Sequence, residues 1–133
     1  MLLKGKFFSN VRCWIFRHCL LDKDLLRQIF VNRSIQKPEH LIIINRNDGN
    51  HIFSAIMDLQ KLTGVKNFKF IGGKISQENL EKFVDSDLLN SLQHLDLSQN
   101  VIYDDRMTPF LEGFHSKNLH QLNLRKCGLS YDS

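Results

Sequence analysis

The chain has 133 residues, 42% of them hydrophobic and 24% charged, which is the balance of one folded domain and too short for two ordinary ones. With 7 Gly and 2 Pro, collagen-like, linker-like and low-complexity classes are excluded. A formal net charge of +4 favours acidic partners without requiring nucleic acid. Leucine fills 20 positions, enough to prompt a search for a leucine period.

The period is 27 residues. In chain order, the first strand-like segment is Val11-Arg-Cys-Trp14-Ile-Phe16-Arg-His-Cys19, apolar at its first, fourth and sixth positions and closed by Cys. Leu26, Ile29 and Phe30 follow, at the i, i+3, i+4 spacing of an amphipathic helix. The second unit starts near 38 and is the poorest copy. One register reads Pro38, Leu41, Ile43 and Arg46, the next reads Glu39, Ile42, Ile44 and Asn47, and both remain open. Its helical stripe is Phe53, Ile56 and Met57. The third unit has Val65, Phe68, Phe70 and Gly73, then Leu80, Phe83 and Val84. The fourth has Leu92, Leu95, Leu97 and Asn100, then Met107, Phe110 and Leu111, with Pro109 expected in the first helical turn, where a missing N–H is tolerated. The fifth has Leu119, Leu122, Leu124 and Cys127 and stops before its helix. Units four and five both read L-x-x-L-x-L-x-x-(N/C).

This pattern resembles the leucine-rich repeat family, in particular its ribonuclease-inhibitor-like class, over nearly the whole chain. The resemblance implies an α/β solenoid: a horseshoe arc of about five units near 11, 38, 65, 92 and 119, in a single domain spanning 1–133. Parallel strands would line the concave face and helices the convex one. It further implies that Cys19, Asn100 and Cys127 form a structural ladder, each burying its side chain to satisfy loop backbone groups. Gly73 and Arg46 depart from that choice. Residues 1–10 would be a poor N-terminal cap, and no C-terminal cap is visible, so the chain is expected to be a fragment of a longer repeat protein. The family carries such arrays in NLR-type innate immune sensors and in free-standing inhibitors, hence an expected place in a larger cytosolic sensor or inhibitor.

The positions between the repeat's apolar residues are expected on the concave face. Six of them are basic (Arg12, Arg17, Lys66, Lys69, Arg125, Lys126) and two are acidic (Glu39, Asp96), which matches the chain's whole net charge of +4. His18, His94, His120 and Asn123 share that face, and Ile15, Ile42 and Ile71 would add apolar contact. The expected activity is non-catalytic: a protein-interaction module that draws in an acidic protein surface. The alternatives are a mitochondrial assembly factor, suggested by an N-terminus with no acid before Asp22, and a nucleic-acid binder. The second is weak, because Trp14, Phe16, Phe68 and Phe70 would point into the core instead of offering stacking platforms.

Other chemistry finds no support. Three cysteines at no metal-like spacing suit a reducing compartment, so the expected location is cytoplasmic, or else mitochondrial. The longest apolar run, Leu41 to Ile44, is far short of the roughly 20 residues of a membrane span. Asn32-Arg33-Ser34 matches a glycosylation acceptor with no secretory signal beside it. Gly72-Gly73-Lys74 lacks the spacing and the following Ser or Thr of a phosphate loop. No nucleophile stands beside a base, and the six histidines form no zinc pattern. Catalytic residues, metal, cofactor and small-molecule substrate are accordingly all expected to be absent.

Overall fold

A computed structural model describes residues 11–19, 21–31, 38–45, 49–59, 62, 64–102, 104–113 and 118–128. The expected cap at 1–10, the Arg46 position, the Asn32-Arg33-Ser34 triplet and the last residues from 129 lie outside them.

Five strands form one all-parallel sheet in sequential order. They are β1 (Cys13–Arg17), β2 (His40–Ile44), β3 (Asn67–Ile71), β4 (His94–Asp96) and β5 (Gln121–Asn123). Helices return the chain between them: α1 (Lys23–Val31), α2 (Gly49–Asp58), α3 (Gln77–Val84) with the short α4 (Asp87–Ser91), and α5 (Asp104–Glu112). Each strand pairs with the next at a constant step, as in Trp14 with Leu41, Leu41 with Phe68, Phe68 with Leu95, and Leu95 with Leu122. The second unit therefore adopts its Pro38 register, with Leu41 and Ile43 buried and Ile42 and Ile44 on the opposite face.

The backbone keeps the same step where the strands begin. Glu39 N–H donates to Arg12 O, Lys66 N–H to Glu39 O, Gln93 N–H to Lys66 O and His120 N–H to Gln93 O, each at 2.8 Å. Each of those carbonyls accepts a second N–H from the following residue, at 3.0 or 3.1 Å. Where the strands end, His18, Gln99 and Lys126 take φ of 53°, 59° and 58°, and Gly72 takes 90°. These four positions are equivalent in the repeat. Only Gly72 adopts the left-handed region freely; at the others a Cβ makes it costly, by roughly 1–2 kcal/mol.

The sheet has one packed face. Leu41, Ile43, Phe68, Phe70, Leu95 and Leu97 are at most 1% exposed, and the helical stripes close over them in a single core cluster. Phe53 of α2 is central: its ring lies 5.1 Å from Phe70 in an edge-on contact, 5.7 Å from Phe83 and 6.4 Å from Phe68. Trp14, Phe16, Leu122 and Leu124 are only half buried, because among the described residues β1 and β5 each have a strand on one side alone. Asp22 Oδ1 accepts from Leu25 N–H at the start of α1, and the Ser76 and Ser86 hydroxyls accept from Asn79 and Leu89 N–H at the starts of α3 and α4, satisfying donors that a helix start leaves orphaned.

Three expectations about the helices need correction. Leu111 is 46% exposed and Val84 half buried, so the apolar stripe does not hold at all twelve positions; among the described residues no helix packs beyond α5 to cover Leu111. Pro109 lies in the second turn of α5, not the first. It is exposed, so the carbonyl it leaves without an N–H partner can turn to water. Finally, α4 interrupts the one-strand, one-helix rhythm, inserting buried Leu88 and Leu89 before β4. Gly113 sits where a Cβ would lie 2.9 Å from Val84 Cγ1, which lets the end of α5 approach α3 closely.

Core depth orders two substitutions. Leu97→Asp should cost about 3–5 kcal/mol or more, since it buries an unpaired charge in a filled site. At the half-buried edge, Leu122→Asp should cost about 1–2 kcal/mol. Urea denaturation followed by circular dichroism measures both, and equal midpoints would contradict this burial order.

Candidate interaction face

Side chains alternate across a strand, so the face away from the helices presents two complete rows. One runs Cys13, His40, Asn67, His94, Gln121; the other runs Ile15, Ile42, Lys69, Asp96, Asn123. Parallel strands about 4.8 Å apart hold successive members of a row side by side. The middle of this open face is a shallow depression of about 220 Å³, lined among others by His40, Asn67, Lys69, His94, Asp96 and Asn123.

The first row is bonded through its centre. Asn67 Nδ2 lies 2.6 Å from His40 Nδ1, and Asn67 Oδ1 is hydrogen-bonded to His94 Nδ1. In the second row Lys69 Nζ lies 3.6 Å from Asp96 Oδ2, while the other oxygen of Asp96 accepts from Ser98 N–H at 2.9 Å. Asn123 repeats that turn one unit on, its Oδ1 accepting from Arg125 N–H at 3.0 Å.

Charge on this face is distributed differently from the simple count. Arg12 pairs with Glu39 at 3.6 Å and Lys69 with Asp96, so both acids are engaged and both pairs are close to neutral. Arg17, Lys66, Arg125 and Lys126 are exposed, with no ion pair to any of them among the described residues. They stand at the strand ends: Arg17, Arg125 and Lys126 at the C-terminal ends of β1 and β5, and Lys66 just before β3. The positive groups thus rim the face, and its centre is polar. His18 and His120 are exposed at its two margins. Of the three isoleucines expected to add contact, Ile15 is 57% exposed and Ile42 half buried, but Ile71 is only 8% exposed beside Ile44 and offers little area.

The ladder residues divide. Asn100 is fully buried; its Nδ2 donates to Phe70 O at 2.6 Å and Leu97 O at 2.7 Å, and its Oδ1 accepts from Gly73 N–H at 2.9 Å. Gly73, lacking a side chain for the ladder, thus has its own backbone tied by the next rung. The Cys127 thiol does similar work, reaching Leu97 O at 3.1 Å and Arg125 O at 3.8 Å. Cys19 departs from expectation: it is exposed, and its Sγ reaches only Arg17 O, at 3.4 Å. The reason is positional. Asn100 and Cys127 each also bind a carbonyl thirty residues earlier, and β1 has no described strand before it to supply one. Cys19 instead offers its own carbonyl to Asn45 Nδ2 at 3.2 Å.

The central bonded row was not singled out in the sequence, where only His94 of its three bonded members was named for the face. Reading down the repeat's columns brings 40, 67 and 94 into one line, and that alignment is the signal that could have exposed it. Among the described residues no three His, Cys, Asp or Glu side chains gather as a metal site would require, and no helix is long and apolar enough to cross a membrane. No protein-family model matches this chain, and neither the curated proteins nor the solved structures hold a match.

Two outcomes test the ladder. Asn100→Ala takes the side-chain donor from Phe70 O and the acceptor from Gly73 N–H, while Leu97 O keeps the Cys127 thiol. At about 1–3 kcal/mol for each group left unpaired, the variant should lose about 2–6 kcal/mol, a large share of the stability of an ordinary small domain; a melt like the parent's would show that those groups find other partners. Cys127 is held as a thiol because burial pushes its ionisation up. In the unfolded chain the thiol ionises from about pH 8.5 upward, so the unfolded state then binds fewer protons and stability should fall as pH rises beyond that point. Native alkylation should accordingly modify Cys13 and Cys19 and spare Cys127, as read by peptide mass spectrometry.

Proposed function

We propose that this chain is a leucine-rich repeat module of the ribonuclease-inhibitor-like class, its sheet the concave face of a solenoid arc, and that it binds an acidic protein surface through that face without catalysis. The observation that carries the module is the unvarying step between neighbouring strands, kept by side chains and backbone alike. The buried bonds of Asn100 and Cys127 to carbonyls thirty residues back support the family's ladder role for these two residues.

The binding assignment rests on what the face offers. Its side chains stand on a hydrogen-bonded sheet, so a ligand would meet a surface that needs little ordering on binding. Exposed Arg17, Lys66, Arg125 and Lys126 at the rim would steer an acidic partner inward. Ile15 and the polar centre would then supply contact and register. Lys69, counted among the six basic positions of the face, is paired with Asp96 and contributes less to attraction.

The test compares the chain with a variant carrying Arg17→Glu, Lys66→Glu, Arg125→Glu and Lys126→Glu in a lysate pull-down at low and at physiological salt. Each position is exposed, so the variant should melt within about 0.5 kcal/mol per substitution of the parent. A protein retained by the parent, weakened by salt and lost from the variant supports the basic rim as the docking surface. Equal retention by both would remove the rim from the binding site.

A further inference from the structure

We propose that the groove between the end of α2 and the α3–α4 junction docks a basic segment of a partner protein, one cationic side chain lodging among its carboxylates with the methylene stem laid on its apolar floor. The groove belongs to the helix layer, on the other side of the sheet from the open face, and the inference does not depend on what the open face binds.

The groove opens where α4 breaks the rhythm of the repeat. Its walls are the last turn of α2 and the segment that carries the chain from α3 into α4. Its volume of about 450 Å³ lies within the roughly 300–1,000 Å³ of ligand sites. Ile56, Met57, Leu62 and Leu88 form the floor, each at most 8% exposed and each part of the core cluster. A floor seated in the core needs little ordering when a ligand arrives, and the unbranched Met57 can adapt to an alkyl stem.

The rim is acidic. Asp58 ends α2, Asp85 caps α3 and Asp87 stands in the first turn of α4; all three are exposed and line the one cavity. Lys82 is the only base among the described lining residues, so three carboxylates meet one ammonium in a chain whose net charge is +4. Neighbours beyond the rim leave that balance unchanged. Lys23 pairs with Asp58 at 3.3 Å and Glu78 with Lys82 at 3.1 Å, one base and one acid, while Asp85 and Asp87 have no ion pair among the described residues. The backbone adds to the sign. Both α2 and α3 end at the groove, a helix C-terminus carries about half a negative charge, and α2 has no basic residue in its last turn to answer it.

These features select the occupant's chemistry. An anion would face carboxylates and two helix ends of its own sign. A purely apolar segment would desolvate the rim without answering it. A lysine or arginine side chain meets both halves, its head among the carboxylates and its stem along Met57 and Leu88, as such side chains lie on amphipathic surfaces. Ser86 makes no competing offer: its hydroxyl accepts from Leu89 N–H at 3.3 Å and donates to Phe83 O at 2.6 Å. At about 450 Å³ the cavity holds more than one side chain, which suits a segment better than a free amine.

The probe is a short labelled peptide of alternating arginine and leucine, followed by fluorescence anisotropy against the full chain. Affinity should fall about tenfold in the double variant Asp85→Asn, Asp87→Asn. It should fall by less than about twofold in Asp24→Asn, Glu112→Gln, which removes the same charge from exposed sites elsewhere. Equal losses in the two variants would reduce the binding to net charge and overturn the proposal, as would full affinity in the first variant or no binding by the parent. Methyl NMR of the parent reads the place without any substitution. The peptide should shift Ile56, Met57 and Leu88 and leave Ile15 and Ile42 unmoved. Shifts confined to Ile15 and Ile42 would put the peptide on the open face and overturn the proposal.

Discussion

A parallel strand must find its neighbour's carbonyls at one fixed place along the chain, and here every connection meets that demand with the same number of residues. Arg12, Glu39, Lys66 and Gln93 each present a carbonyl to the next strand, with a first N–H at 2.8 Å in all four steps. The rest follows from that constraint. A constant step brings Leu41, Phe68 and Leu95 into one buried line, sets the helices side by side over it, and stacks equivalent polar residues on the opposite face. Connections of unequal content are accommodated where they cost least: α4 is an extra turn of helix, and its two leucines are simply absorbed into the core.

Much of this was legible in the residues. The apolar triplets of units three and four predict buried strand positions, and Phe68, Phe70, Leu95 and Leu97 take them. The helical stripes predict α1 to α3 and α5 within about a turn. What was not legible has two physical sources. One is neighbourhood: Cys19, Trp14 and Leu111 have repeat positions like those of buried residues, but they lie on or beside elements that are outermost among the described residues. The other is local geometry that composition does not encode. Four consecutive β-branched or leucine residues in β2 fit either register equally, and only pairing with β1 and β3 selects one. Left-handed turns at His18, Gln99 and Lys126 carry no glycine to announce them; the loop's hydrogen bonds hold residues there that would not choose it alone.

The open face shows how little a charge count says about a field. Six bases and two acids in sequence become two near-neutral pairs and four cations at the strand ends. What occupies the centre is a polar row whose members satisfy one another. A side chain that spends its donors and acceptors on a sheet neighbour is positioned more firmly than one facing water. It also has fewer groups to offer a ligand. The face therefore has hydrogen-bonded polar groups at its centre and exposed charged arms at its rim.

Sequential strand order has a mechanical side. Among the described residues each strand bonds only to the strands next to it in the chain, so no described strand is clamped by a distant one. Force applied to the two ends would not have to break all strand pairs at once; it could peel β5 or β1 away and leave the remaining ladder standing. The half-buried Trp14 and Leu122 mark where such peeling begins, and the Phe53 cluster between β3 and the helices marks where it meets most resistance. Extension of this chain would then proceed in steps of one repeat, each step releasing a strand and its returning helix together.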